Sequence, residues 1–513
     1  MAEKSGEPAI PESVTEKIGE PATPESVAAS CPPPSYEEVM GHQTVGYAKA
    51  SSPSDLPPLS YIDIMPRLLD PGNIANKVTP QFDKFSVVIQ AANMWLAGNR
   101  SYAVWKCETV ERKVDKGTVI VLEKMVYHEA TFGFNVYIRG LRLWLTKKSN
   151  PNEPAQQLGL LNVVPKKVAV LPTHIGYGNQ ISLNNGIQIN IGGRRRRGHT
   201  GYVTIDDPEV LQNMAVPSLN ISFEGLQTTL KKLNEDIKAR PLPGTILNVE
   251  ATTMKTFEGL SASGDMDPDQ TCWHEDGNKF KRFTQIIRVF YVIGQPANEQ
   301  ILMEDFVPQV TKRGDLMKPC HFETWQKVMS RVSAWIPNQQ GIRIVNLQTQ
   351  YIKYSEYNGE VKVASDSTDD YVTNFTDRKM LKVMRVFYVT RPGPPSPSMG
   401  HLSIRTFLPV RKSRKDFETM SETMFRITAW LKVTGMQISS VETHQFLFVE
   451  TSASGVEQEK CNITSHGMSG KHFITAISVY FAYPFQEPHA SYLPPVYNMY
   501  DPHKLQSSSC TIV

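Results

Sequence analysis

Apolar side chains recur at offsets 0, 3, 7, 10 and 14 in four separate stretches of this chain. The sets are Phe82, Phe85, Ile89, Ala92, Leu96; Phe223, Leu226, Leu230, Leu233, Ile237; Phe322, Trp325, Met329, Val332, Ile336; and Phe417, Met420, Met424, Ile427, Leu431. Such spacing lines five side chains along one face of a helix, so each stretch predicts an amphipathic helix with a face to bury. A strand-like run follows each helix (101–112, 246–257, 342–354, 436–450), and a second closes each unit (140–145, 287–292, 384–389, 477–482). Between the two runs lie polar segments, such as 258–279, 355–379 and 451–471, which read as long loops.

The register supports true repetition. Phe322 to Phe417 and Trp335 to Trp430 are each 95 residues apart, and Arg288 to Arg385 is 97. Glu108 to Glu250 is 142, which implies an insertion of about 45 residues after the first unit. Two strands and one helix cannot close a core alone, so neighbouring units should pair. The expected fold is α+β: four tandem helix-strand-strand repeats forming antiparallel sheets with helices packed on one face, flanked by disordered tails. The expected boundaries are an arm at 1–66, repeat 1 at 67–147, an insertion at 148–205, repeat 2 at 206–296 and repeat 3 at 297–392. A Pro-rich linker at 393–400, repeat 4 at 401–486 and a tail at 487–513 complete the chain.

Composition adds limits. Formal net charge is +3, so any electrostatic partner must be read locally rather than from the whole chain. The start lacks a secretory leader and no apolar run is long enough to span a bilayer, which predicts a cytoplasmic protein, with peripheral membrane attachment as the alternative. The six cysteines, Cys31, Cys107, Cys272, Cys320, Cys461 and Cys510, have no CxxC spacing and read as free thiols in a reducing compartment.

The arms carry short motifs. Pro33, Pro34 and Tyr36 near the start, and Pro494, Pro495 and Tyr497 near the end, both match PPxY. Two prolines preset a polyproline II turn that docks on aromatic grooves with little entropy to lose, and the tyrosine returns to the same side one turn later. The pair of motifs resembles those of adaptors that recruit WW-containing HECT-type ubiquitin ligases, and of viral matrix or Gag-like proteins that use PPxY in budding. The resemblance covers two tetrapeptides and implies WW-domain partners. Tyr61-Ile62-Asp63-Ile64 also fits the Tyr-x-x-apolar pattern of sorting signals.

At the C-terminus, Thr511 and Val513 resemble a PDZ ligand, while Cys510 followed by Thr511, Ile512 and Val513 resembles a prenylation box. The two exclude each other, because prenyl processing removes the residues a PDZ domain would grip. Arg194, Arg195, Arg196 and Arg197, flanked by glycines, form a basic loop that could reach an anionic membrane surface. The alternating residues around Asn184-Asn185-Gly186 predict a hairpin beneath them. With few aromatics interleaved, a nucleic-acid partner is not supported.

Enzyme chemistry is not legible. Gly467 to Lys471 lacks the pattern of a P-loop, and His128-Glu129 lacks the second histidine of a zinc protease. Asp265, Asp267, Asp269 and Asp276 could supply oxygen ligands, but Pro268 interrupts the loop and an exposed acidic loop is expected. No catalytic residue, metal or cofactor is expected. Trp95, Trp335 and Trp430 read as core at the helix ends, with Asp236 replacing them in the second unit. Arg142, Arg288 and Arg385 read as facing solvent or an acidic strand partner, a series that Ser478 breaks. The expected function is a non-enzymatic intracellular adaptor or scaffold recruiting WW proteins. The alternatives are a small-molecule or lipid-binding repeat protein, or a matrix-like structural protein with budding motifs.

Overall fold

A computed structural model describes residues 58–114, 118–129, 133–170, 180–182, 188–190, 221–258, 266–276, 281–315, 318–372, 378–391, 400–413, 416–448, 456–465 and 471–496. Within them the chain writes one plan four times. Unit 1 comprises β1 (Ser60–Ile64), α1 (Phe85–Gly98), β2 (Tyr102–Lys113), β3 (Val126–Glu129) and β4 (Phe134–Lys147). Unit 2 comprises β5 (Leu158–Val163), α2 (Leu226–Ala239), β6 (Gly244–Glu258), β7 (Cys272–Asp276) and β8 (Lys281–Ile293). Unit 3 follows with β9 (Gln300–Phe306), α3 (Trp325–Trp335), β10 (Ile342–Tyr357), β11 (Asp369–Val372) and β12 (Arg378–Thr390). Unit 4 has β13 (Ser403–Phe407), α4 (Met420–Thr434), β14 (Ile438–Phe448), β15 (Asn462–Ser465) and β16 (Lys471–Phe481).

The last strand of each unit is its spine. It pairs antiparallel with the long strand before it, and its C-terminal half pairs with the unit's own first strand. The N-terminal half is completed by the following unit: β7 lies on β4, β11 on β8 and β15 on β12. The cycle ends where β3 of unit 1 lies on β16 of unit 4. Each sheet therefore borrows a strand from its neighbour, and the four antiparallel sheets form a propeller-like ring.

This corrects the α+β expectation. The described residues are mostly β, with 47% strand against 19% helix, and their helices form no layer over a sheet. Each helix instead fills the wedge between its own sheet and the next. α1 buries Phe85, Val88, Ile89 and Leu96 against Leu141 and Leu143 of unit 1 and against Leu158 and Phe290 of unit 2. α4 buries Met420, Met424 and Leu431 against Val441 and Ile477 of its own unit, and against Trp144 and Met125 of unit 1. The missing strand content has a physical reason. The first strands are five to seven residues long, too short for alternation to declare itself, and the borrowed strands are four or five residues set in polar segments.

Two edge strands lie outside the repeats as the sequence delimits them: β1 falls in 1–66 and β5 in 148–205. Lys167–Val170 pairs with Ile221–Phe223, as Leu68–Asp70 pairs with Gln81–Phe82 in unit 1, so the extra chain of unit 2 falls between Val170 and Ile221 in sequence. Gln180–Ser182 pairs with Gln188–Asn190 in the ribbon read from the sequence. The first member of each stripe also moves. Phe82, Phe223, Phe322 and Phe417 sit on short bridges ahead of the helices, which begin three residues later.

A second exchange accompanies the borrowed strands. The first turn of each helix is capped by an acid from the next unit: Asp269 accepts from the Ser86 backbone N–H (2.7 Å) and hydroxyl, and Asp366 from Gln227 N–H (2.7 Å). Glu459 accepts from Gln326 N–H (2.9 Å), and Glu123, from unit 1, accepts from Ser421 N–H (2.8 Å) and its hydroxyl (2.8 Å). A carboxylate at a helix N-terminus satisfies an orphan donor and meets the positive end of the dipole. The segment read as an exposed acidic loop is thus a clasp, since Asp267 also pairs with Lys84 (3.0 Å) and the buried Asp276 with Lys77 (2.8 Å). Asp269→Ala should cost about 1 kcal/mol in chemical denaturation, the usual value of a lost cap, and Asp269→Asn less. Unchanged stability in both would show that the clasp carries no energy.

Candidate functional site

The inner strands β2, β6, β10 and β14 face the ring axis, and each meets the next in a closed cycle. At one level of that axis the residues are Glu108, Glu250, Gln348 and Glu442, and each reaches one unit back. Glu250 accepts from Thr109 N–H (3.0 Å) and its hydroxyl; Glu442 accepts from Thr349 N–H and its hydroxyl (2.9 Å); Glu108 accepts from Thr443 N–H (3.0 Å) and its hydroxyl. Where unit 2 carries Ala251 instead of threonine, its partner is Gln348, which accepts from Ala251 N–H (3.0 Å) and donates to Ala251 C=O (3.1 Å). A carboxylate only accepts, so it needs two donors; an amide does both, so it suits a backbone N–H and C=O. The side chains covary around the ring as hydrogen-bond chemistry requires.

One level away stand Lys106, Asn248, Asn346 and Ser440, all buried. Asn248 donates to Cys107 C=O (2.6 Å) and Asn346 to Val249 C=O (2.8 Å), repeating the reach to the preceding unit. Lys106 crosses to donate to Asn346 Oδ1 (2.7 Å) and Ser440 Oγ (2.9 Å). Burial lowers the Lys106 ammonium pKa, and burial raises the carboxyls of Glu108 and Glu442 despite the donors and cations beside them. These groups are committed to one another and hold the ring together.

The arginine series lies just outside this axis and is fully buried. Arg142 binds Asp63 through two bonds of 2.6 Å, and Arg385 binds Asp305 through bonds of 2.8 and 2.7 Å. Arg288 meets the neutral Asn162 (2.9 Å), and burial brings its pKa down to about 10. In unit 4 the pair is Ser478 with Thr406 (2.8 Å). None of the three faces solvent; the acidic strand partner expected is present for Arg142 and Arg385, on the first strand of the unit, and is replaced by Asn162 for Arg288. Tyr61, read within a sorting motif, is instead part of β1 and stacks over Arg142, whose guanidinium carbon is 4.3 Å from the ring centre.

Both ends of the described chain meet at one seam. Leu59, just before β1, is buried in the core cluster around α4, and Leu493 packs against the same cluster. Trp430 at the end of α4 donates to Glu487 (3.0 Å) and packs edge-on to Phe485, which brings the chain after β16 back onto unit 4. A 3-10 turn, Ala490–Tyr492, then leads to Leu493, a half-buried Pro494 and an exposed Pro495. Pro33, Pro34, Tyr36, Tyr497, Cys510, Thr511, Val513 and the loop Arg194, Arg195, Arg196 and Arg197 lie outside the described residues. Among the described residues no group of three His, Cys, Asp or Glu side chains could hold a metal, and no helix is long and apolar enough to cross a membrane. Cys107, Cys272, Cys320 and Cys461 are buried free thiols.

The tryptophans pack as core at the helix ends: Trp430 is buried against Phe407 and Phe481, Trp95 stacks on Tyr102, and the partly buried Trp335 meets Phe306 and Tyr388. The axial series was missed in the sequence, although its signal is there. Glu108-Thr109, Glu250-Ala251, Gln348-Thr349 and Glu442-Thr443 fall at equivalent places in the four units. Comparison with protein-family models, curated proteins and solved structures finds no match to this chain.

Thr349→Ala should cost about 1–3 kcal/mol by leaving a buried Glu442 oxygen short of a donor. Adding Glu442→Gln recreates the Gln348–Ala251 pairing and should recover at least half, because the Tyr480 hydroxyl that donates to Glu442 (2.9 Å) can turn to accept. Simple additivity in a double-mutant cycle would contradict the pairing. Glu442→Gln alone should also gain on the wild type as pH rises. A carboxyl with a raised folded pKa stabilises below its unfolded value of 4.5 and loses that contribution as pH climbs through the folded pKa, a loss the amide does not have.

Proposed function

We propose that this protein is a non-catalytic adaptor or scaffold whose ring is a platform and whose arms recruit WW-domain proteins, with HECT-type ubiquitin ligases one class of such partners. One observation carries the reading: the segments leading to both PPxY motifs are held at the seam around α4, one by Leu59 and the other by Leu493. Only three residues separate the Leu493 anchor from Tyr497, so the second motif begins where the packed chain ends. Pro495 is exposed there, and a polyproline turn on a short fixed lead loses little entropy when it docks in an aromatic groove.

The axis supports the same reading from the other side. Glu108, Glu250, Glu442, Lys106 and Arg142 are buried and bound to partners in other strands, an arrangement suited to fixing subunit-like units in register. The partners would be met in the cytoplasm, and the basic loop from Arg194 to Arg197 would add attraction to an anionic membrane of about 1 kcal/mol per arginine near the surface.

A panel of WW domains titrated against the intact chain tests the proposal. Binding by several panel members should weaken at least tenfold, about 1.4 kcal/mol, in the Tyr36→Ala, Tyr497→Ala double variant. Affinities indifferent to both substitutions would refute it.

A further inference from the structure

The fourfold plan is broken in one place, and the break opens a cleft. In each unit the borrowed strand sets one residue beside the spine it completes. These are Trp273 opposite Tyr137, Tyr127 opposite Phe473, Ile463 opposite Met380, and Asp370 opposite Phe283. The equivalent inner-strand positions carry Glu111, Gln445, Tyr351 and Thr253 in units 1, 4, 3 and 2. Two of these places are visibly plugged. Trp273 stacks on Tyr137 and donates to Glu111 (2.8 Å), and Tyr127 stacks on Phe473 and donates to Gln445 (2.7 Å). Unit 2, with Asp370 and Thr253, has no aromatic residue at either position. A cleft of about 430 Å³ reaches Thr253 there, lined by residues of units 1, 2 and 3 at one end of the axis, a size typical of small-molecule sites.

Its walls define the ligand. The charged groups on them are already paired: Arg139 with Glu111 (3.0 Å), Glu275 with Lys281 (3.0 Å), and Asp369 with Arg282 (2.7 Å), while Glu250 is held by Thr109 and Lys353, also on the wall, is not free either. A charged ligand would find no unpaired counter-ion among these groups. Gln285 and Gln350 cross the cleft to each other (3.3 Å), and the hydroxyls of Thr252 and Ser367 bond Glu250 (3.1 Å) and the Asp369 backbone (3.2 Å); each keeps further donor or acceptor capacity that a purely apolar ligand would seal from water. The Tyr351 hydroxyl in the same wall is buried without a hydrogen-bond partner. Phe283 and Trp273 add apolar surface. We propose that this cleft binds a neutral, hydroxyl-rich ring ligand, a mono- or disaccharide, whose hydroxyls meet the amides and side-chain hydroxyls while its C–H face lies on the aromatic wall.

The test titrates the full chain with glucose, galactose, mannose, N-acetylglucosamine and their disaccharides, using ligand-observed NMR and calorimetry, with glucose 6-phosphate and glucosamine as charged comparators. At least one neutral sugar should bind with millimolar or tighter Kd, and the charged comparators at least tenfold more weakly. Thr253→Glu with Asp370→Trp transplants the Glu111–Trp273 plug into the cleft and should weaken that sugar at least tenfold while the thermal midpoint holds. If the plugged variant does not fold, Gln350→Ala, which removes one bridging amide, should weaken binding by about tenfold. The proposal is overturned if no neutral sugar binds the wild type at tens of millimolar, if the charged comparators bind as well, or if the folded plugged variant keeps wild-type affinity.

Discussion

No unit of this ring can satisfy its own backbone. The N-terminal half of each spine strand lacks a second partner until the next unit supplies one, and one first-turn N–H of each helix, at Ser86, Gln227, Gln326 or Ser421, is met by an acid from the next unit. Unpaired buried N–H and C=O groups are costly, so an isolated unit would carry that cost along its spine strand. Unit 1 supplies β3 and Glu123 to unit 4, about 300 to 350 residues downstream, and this contact closes the cycle. The wedge helices follow from the same constraint, because each buries its apolar stripe against two sheets that the exchange has fixed beside each other.

At the axis the same reach to a neighbour is made by side chains. Glu pairs with Thr three times and Gln with Ala once, so donors and acceptors balance at every seam. The departures from symmetry are then informative. Lys106 replaces a short polar residue and spans the axis, Ser478 with Thr406 replaces an arginine pair, and Thr253, at the place of Glu111, borders the cleft. The first two give Lys106, Ser478 and Thr406 partners while Asn248 Oδ1 stays buried without one, whereas the last borders a cleft.

Much of the repetition was legible in the residues, because a helix stripe of five positions carries a strong period. The place of Phe82, Phe223, Phe322 and Phe417 was misread since a residue one turn before a helix fits the same spacing on a bridge. The strands β1, β5, β9 and β13 were invisible beside the stripes, being short and separated from them by hairpins. Cys272 to Asp276 looked like an acidic loop, since a strand whose pairing partner is some 130 residues away leaves no local trace. The buried state of Arg142, Arg288 and Arg385 also depended on that unseen first strand, which carries Asp63, Asn162 and Asp305. The PPxY motifs were read from sequence alone, and what the fold adds is the common seam at which their leads are anchored.

If exchange between units is what holds the ring, the inner strands should open together. Native-state hydrogen exchange on the intact chain, followed residue by residue through β2, β6, β10 and β14, measures this directly. The account predicts one shared opening free energy for the amides of all four strands, equal to that of global unfolding. Four separate opening energies, with unit 1 or unit 4 exchanging on its own while the others stay protected, would contradict it.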